Sequence, residues 1–328
     1  MTASVLILGS PSDPHEQSVT NHLRRKGVNP TFWSAPELLK TCALVVEISD
    51  DDFDCRVEEP GDQTASKKRT GFSFTGFSSV WLRRPGKVES RALPESWMSG
   101  FVERESNRAL NAIYRMLSPI WVNDPIAEQN SRLKLTQLQA AKQCGLNIPE
   151  TLVTNKPESV RRFYDLHSGE VIYKLIDEAS NLLFPKHEVP PGIVTTPFRE
   201  SDLQHLDQVR FSLHLFQRRI PKTCDIRITI VGADIFAVRI DSQAGAGTTD
   251  FRLDYSVPLS VHKLPTPVAD GCRRLMTRLG LVYGAIDMCM DADGKYYFFE
   301  VNSSGQWLWM EEKLDLPISL KLADLLAP

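Results

Sequence analysis

Near the C-terminal end, in GAIDMCMDADGKYYFFEVNSSGQWLWM, two carboxylates and an amide stand where a core strand would carry apolar side chains. Tyr296 to Val301 has the aromatic and β-branched character of a buried strand, and strand alternation puts Glu300 and Asn302 on one face of it. Asp293-Gly294 favours a two-residue type I′ hairpin turn, because both residues tolerate positive φ. Counting outward from that turn sets Ala292 across from Lys295 and Asp287 directly across from Glu300. Like charges facing one another across a strand pair are destabilising, and a buried unpaired carboxylate costs several kcal/mol or takes up a proton. A divalent cation between the acids removes both penalties, and Asp, Glu and Asn oxygens are the hard donors that Mg²⁺ takes together with waters and phosphates. The register also allows a plainer arrangement, an edge hairpin with two solvated acids.

Cations stand in apolar runs upstream. Lys174 in VIYKLI, Arg227 in DIRITI and Arg239 in FAVRID each interrupt a strand-like segment, and Lys134 lies on a helix surface. Each has an ordinary reading: Lys174 as an edge-strand lysine that blocks aggregation, the two arginines paired with Asp225 and Asp241 on a wet face, and Lys134 as a solvated charge. Together with a metal hairpin they match what a nucleoside triphosphate needs, cations for its phosphates and a metal to bridge them. The G-x-x-x-x-G-K-[ST] loop is absent, and LGSPSDP is too weak to be a dinucleotide fingerprint.

The elements that must hold these residues can be read in order. SVLILG, CALVVEI and SVWLRRP alternate with helical stretches, over about Glu16 to Lys26 and Glu95 to Leu117, as in a small α/β domain. Asp54 to Thr70 reads as a surface loop or hairpin, and SPIWVNDP as a boundary strand between prolines. One helix is predicted from Ala127 to Gly145, then a strand EVIYKLI and an irregular lid, DEASNLLFPKHEVPPGIVTTPF. FSLHLFQRRI, DIRITIVG and DIFAVRID follow as strands, with a turn at Val231 to Asp234 and a mobile Gly-rich loop SQAGAGTTDF. A helix from about Val268 to Leu279 precedes the acidic hairpin, and another from Ile318 to Leu326 closes the chain.

The 328 residues are 42% hydrophobic and 24% charged, a globular composition, and a formal net charge of −3 argues against nucleic acid as a partner. Six scattered cysteines without ligand spacing read as reduced thiols in the cytoplasm. SVLILG is too short for a membrane span or a signal-peptide core.

The order of these motifs, Lys134, Lys174, FQRRI, Arg227, Arg239, Asp287 and EVN, resembles the ATP-grasp superfamily. LFQRRIPKTCDIRITIVG, FAVRIDSQ, DFRLDY, GLVYGAIDM and FFEVNSSGQWLWME are similar to the microviridin-type peptide maturases, the graspetide synthetases, throughout residues 123 to 328, and VWLRRP resembles a motif of their N-terminal domain. The resemblance implies an α/β (α+β) chain: an N-terminal pre-ATP-grasp α/β domain (1–122), a central ATP-grasp subdomain with a lid (123–215) and a C-terminal subdomain with the metal hairpin (216–328), its mostly antiparallel sheet holding ATP and Mg²⁺. It implies a ligase that phosphorylates a side-chain carboxylate of a ribosomal precursor peptide, with leader and core, and joins it to a Ser or Thr hydroxyl or a Lys amine. Lys134 and Lys174 would hold the ATP phosphates, and Gln217, Arg218, Arg219 and Ile220 the adenine through backbone groups. Arg227 and Arg239 would steady the phosphoryl group or acyl phosphate, and Asp287, Glu300 and Asn302 would hold Mg²⁺. Arg218 departs from the family, where that hinge position is commonly acidic, and the lid lacks the usual glycines.

A base is needed for a hydroxyl to attack, and Asp241 is preferred over Asp250; Asp241 acting only as a partner of Arg239 or Arg227 is the alternative. Trp307 and Trp309 read as a hydrophobic plug. The competing function is a glutathione-synthetase-like ligase joining an amino acid or small amine to a small-molecule or protein C-terminal carboxylate; a non-catalytic nucleotide-binding module is a third. No membrane partner is expected, and a homodimer is left open.

Overall fold

Four apolar residues in a row, Val5–Leu8, form β1, and all four are buried, as a parallel strand covered on both faces requires. The computed structural model describes residues 3–50, 52–58, 71–91, 93–117, 119–177 and 195–328, so most of the expected lid lies outside the described residues. After β1 come α1 (Pro14–Arg25), β2 (Thr31–Trp33), β3 (Ala43–Ile48), β4 (Phe53–Glu58), β5 (Gly71–Ser73), β6 (Ser79–Leu82), α2 (Ser96–Met116), β7 (Ile120–Val122) and α3 (Pro125–Ser131). A parallel sheet runs β2-β1-β6-β7, and β3-β4-β5 form a separate antiparallel sheet. Of the loop or hairpin expected over 54–70, the hairpin reading holds for Asp54 to Glu58, which belong to β4, the antiparallel partner of β5; residues 59–70 lie outside the described residues. Asp13 caps α1, its Oδ1 accepting from His15 N at 2.8 Å and Glu16 N at 3.3 Å. Glu16 itself is fully buried, against Gly9, where any side chain would collide with its carboxylate.

Contacts divide the chain into two compact units, one of residues Met1–Gln129, Gly280–Tyr283 and Ser303–Pro328, the other of Asn130–Leu279 and Gly284–Asn302. The second begins with α4 (Lys134–Gln143), β8 (Thr151–Thr154), α5 (Pro157–Leu166), β9 (Val171–Lys174), β10 (Thr196–Pro197) and β11 (His214–Arg218). These strands pair antiparallel in the order β10-β9-β11-β8, with Val160, Val171, Val209 and Phe216 as their core. Then come β12 (Lys222–Val231), β13 (Asp234–Ile240), β14 (Leu259–Val261), α6 (Thr266–Leu279), β15 (Tyr283–Asp291) and β16 (Tyr296–Asn302), in a sheet ordered β14-β13-β12-β15-β16. The chain ends with α7 (Leu308–Leu314) and α8 (Ile318–Leu326), back in the first unit. Trp307 lies fully buried there, its Nε1 donating to Ser319 Oγ at 2.9 Å and its ring packed against Trp81 and Tyr283, whereas Trp309 is half-buried.

The single helix predicted over 127–145 is in fact two, because Leu133 adopts extended backbone (φ −81°, ψ 97°) between α3 and α4. This break makes Lys134 the first residue of α4. A cation there opposes the helix dipole, worth about 0.3–1 kcal/mol, and needs an acid nearby.

Candidate active site

The acidic hairpin has the register expected from the sequence, but not by the expected route. Its loop is three residues long: Asp291 N donates to Lys295 O at 3.1 Å, and Gly294 sits at φ +76°, the turn-plus-left-handed-glycine closure of longer hairpins. Asp291 Oδ1 accepts from Asp293 N and Lys295 N at 3.0 and 2.8 Å. That loop alone would set Asp287 across from Phe299. A bulge between Asp287 and Met288 on one strand and Phe298 and Glu300 on the other absorbs the extra residue, so Asp287 pairs with Glu300 after all. The bulge also re-aims a side chain: Phe299 lines the same cavity, of about 50 Å³, as Asp287 and Glu300, and Lys174 Nζ lies 4.7 Å from its ring centroid.

Cations gather on the two acids within this second unit. Arg227 donates to Asp287 Oδ1 at 2.7 Å, and Lys134 Nζ lies 3.4 Å from Glu300 Oε2. A further guanidinium, Arg252, stands 3.9 Å from Glu300 Oε1 and is gripped by Asp250 through bonds of 2.9 and 2.7 Å. Lys174 enters from β9, which is flanked by β10 and β11, so it is no edge-strand lysine. The neutralisation assigned from sequence to a metal is thus supplied in part by side chains.

The two carboxyls respond differently. Burial pushes Asp287 above the ordinary aspartate range, and Arg227 offsets this only in part. Burial pushes Glu300 the same way, but Lys134, Lys174 and Arg252 together outweigh it and hold Glu300 low. Burial also lowers the Lys174 ammonium, with Glu300 opposing. For Asp250 burial is again the largest influence, yet the bonds from Arg252 keep its carboxyl below the usual range.

The donor set fits Mg²⁺. Asp287 and Glu300 face each other, and Asn302, exposed at the end of β16, shares their strand face across from Ala285. Among the described residues no group of three or more His, Cys, Asp or Glu could hold a metal. Two carboxylates and an amide leave places for waters and phosphates, the way Mg²⁺ is usually held.

Not every expected residue joins the cluster. Arg239 pairs in register with Ile226, while Arg227 pairs with Val238, so the two arginines lie on opposite faces of the sheet. Arg239 donates to Asp241 Oδ1 at 2.9 Å, both side chains half-exposed, and Asp225 is held not by Arg227 but by Lys222, at 2.6 and 2.8 Å. In the hinge, Gln217 turns inward and donates to Thr151 Oγ1 at 2.9 Å. The Arg218 and Arg219 amides donate to Glu150 O and Glu170 O, each at 2.9 Å, and Ile220 O accepts from Lys222 N at 2.8 Å. Arg218, Arg219 and Ile220 border an open cleft of about 860 Å³ with His167 and Lys222. Arg252, in the loop between β13 and β14, was missed from sequence, and its partner Asp250 was weighed only as the less favoured base. The available signal was a repeated pattern, Asp225-x-Arg227 and Asp250-x-Arg252.

No protein-family model matches the chain. Its fold matches solved structures end to end. A Chryseobacterium gregarium RiPP-associated ATP-grasp ligase, in complex with ADP and a leader and core peptide, aligns at TM-score 0.86 and 26% identity, over 99% of this chain and 98% of that one. The macrocyclase MdnC from Microcystis aeruginosa, bound with precursor peptide MdnA, aligns at 0.82 and 25% over 99% of each chain. The ATP-grasp ligase PsnB, complexed with a phosphomimetic variant of its minimal precursor, Mg and ADP, aligns at 0.74 and 25% over 99% and 98%. A ribosomal protein bS6–L-glutamate ligase of Salmonella paratyphi B is 24% identical over 196 residues, 58% of this chain, and the chain spans only 62% of that relative's length. Among the described residues no helix is long and apolar enough to cross a membrane. The mixed α/β architecture, the cation-and-carboxylate cluster and the end-to-end likeness agree: the chain has the ATP-grasp fold, and the RiPP ATP-grasp ligases of the graspetide type are its structural neighbours.

Proposed function

We propose that the chain uses ATP to phosphorylate a side-chain carboxylate of a ribosomally made precursor peptide and then closes an intramolecular ester or amide crosslink. The carrying observation is the likeness over 99% of both chains to the macrocyclase MdnC. In the first step a carboxylate oxygen attacks the γ-phosphorus, ADP leaves and an acyl phosphate forms. In the second, a Ser or Thr hydroxyl or a Lys amine attacks the acyl carbon, inorganic phosphate leaves, and the peptide is lighter by one water.

Lys134 and Lys174 hold the phosphates in this reading, and the backbone of Gln217, Arg218, Arg219 and Ile220 borders the adenine. Asp287, Glu300 and Asn302 would hold Mg²⁺, which when bound neutralises charge developing between the β and γ phosphates. Arg227 orients Asp287, and Arg252, oriented by Asp250, takes the place first given to Arg239 in steadying the transferred group. Asp250 is held low by Arg252 and is a weak base near neutral pH. Asp241 is bonded to Arg239, which favours its role as that arginine's partner. Residues 1–122, 123–215 and 216–328 correspond to the pre-ATP-grasp domain and the two ATP-grasp halves, and the compartment is the cytoplasm.

The similarity to the bS6–glutamate ligase supports a second reading, addition of an amino acid to a protein carboxylate. Hydroxylamine separates the two. With ATP, Mg²⁺ and a precursor peptide, the first reading predicts hydroxamates on the peptide's Asp or Glu side chains. ADP release that requires added free glutamate, with no side-chain hydroxamate, favours the second.

A further inference from the structure

β16 lies at the edge of its sheet. β15 pairs along one side, and among the described residues no strand follows on the other. At Val301, between Glu300 and Asn302, the open side is filled by a side chain. Gln137, buried on α4, accepts through Oε1 from Val301 N at 2.8 Å and donates through Nε2 to Val301 O at 2.9 Å. Its second amide hydrogen goes to Ser131 O, a carbonyl at the end of α3 where the helix breaks. The amide thus bonds both backbone groups of Val301, as a residue of a further strand would. On the same helix face, one turn earlier, Lys134 reaches Glu300.

This clamp sits where β16 most needs one. The bulge at Phe299 interrupts the ladder immediately before Glu300, so pairing with β15 alone leaves the next residues free to twist. An edge can be blunted by an exposed lysine or a proline. A buried amide with all of its hydrogens placed fixes the backbone direction as well.

We propose that Gln137 is a positioning residue for the metal–nucleotide site: by bonding both backbone groups of Val301 it keeps Glu300 and Asn302 aimed at one cation. The proposal rests on the reading of those two residues as Mg²⁺ ligands. It is tested by calorimetric titration of ADP, with Mg²⁺ and with a chelator, into the wild type and the Gln137→Leu and Gln137→Glu variants, alongside thermal melts. Both variants should bind metal-free ADP as the wild type does, and lose about tenfold or more of the affinity that Mg²⁺ adds, as when an outer partner of a metal ligand is removed. If Gln137→Leu does not fold, Gln137→Glu carries the comparison, because it keeps the size and the acceptor for Val301 N while turning an oxygen against Val301 O. A lower melting temperature with the full Mg²⁺-linked gain retained overturns the clamp and leaves an edge cap. A wild type that gains nothing from Mg²⁺ overturns the ligand reading itself.

Discussion

Replacing Lys174 by Met should weaken nucleotide binding without weakening the fold. The ammonium stands in the acidic cluster over the Phe299 ring, yet among the described residues it makes no ion pair within 4.0 Å, and burial depresses its pKa. In the nucleotide-free protein this charge contributes little, and Met keeps the apolar stem. With a phosphate in reach the balance reverses, since a charge-assisted hydrogen bond is worth roughly 1.5–3 kcal/mol, or about 10- to 150-fold in Kd. Glu300 would also lose one of its three cations, raising its pKa toward the ordinary range. Calorimetry with a non-hydrolysable ATP analogue reads the first effect, and urea unfolding of the free protein the second. Unchanged affinity with a clear loss of stability would refute the reasoning and make Lys174 a structural residue.

Arg227→Met strands Asp287 in a shielded pocket and should cost about 3 kcal/mol or more in urea unfolding, whereas Arg239→Ala, breaking a half-exposed pair, should cost less than about 1 kcal/mol and leave ADP affinity unchanged. Glu16→Gln should stabilise the protein at neutral pH. Burial raises the Glu16 pKa to about 7, so stability present below pH 4.5 is lost as the pH rises through 7, by up to roughly 3 kcal/mol. His15 runs the other way: burial lowers it to about 4, so its contribution is present above pH 6.5 and is lost as the pH falls through 4. Unfolding at pH 5 and pH 7.5 should show the variant's advantage growing with pH, and an advantage independent of pH would exclude Glu16 as its source.

Much of the site was legible because charge is costly in an apolar strand. Lys174, Arg227, Asp287 and Glu300 each broke a hydrophobic run, and the structure gathers all four. The Asp287–Glu300 register came out right through two departures that cancel, a longer loop and a bulge, and neither has a distinctive residue signature beyond Gly294. The place of Arg239 was implied by the turn at Gly232-Ala233, since a two-residue loop pairs Arg227 with Val238 and so sends Arg239 to the other face. Arg252 was legible only through the repeated Asp-x-Arg pattern, and Gln137 not at all. One sits in an irregular loop, the other reads as a polar residue on a helix, and only tertiary contact with β16 gives either a meaning. The break at Leu133 that brings Lys134 and Gln137 to that strand has no proline or glycine to announce it.

The central claim, ATP-driven crosslinking of a peptide's own side chains, is tested most directly by intact-mass analysis of a short Ser/Thr- and acid-rich candidate precursor peptide, sought in the neighbouring open reading frames, after incubation with the protein, ATP and Mg²⁺. The account predicts a peptide lighter by one water for each crosslink, and no change with Glu300→Gln in place of the wild type. A peptide that keeps its mass while ATP is consumed, or gains the mass of an added amino acid, would contradict it.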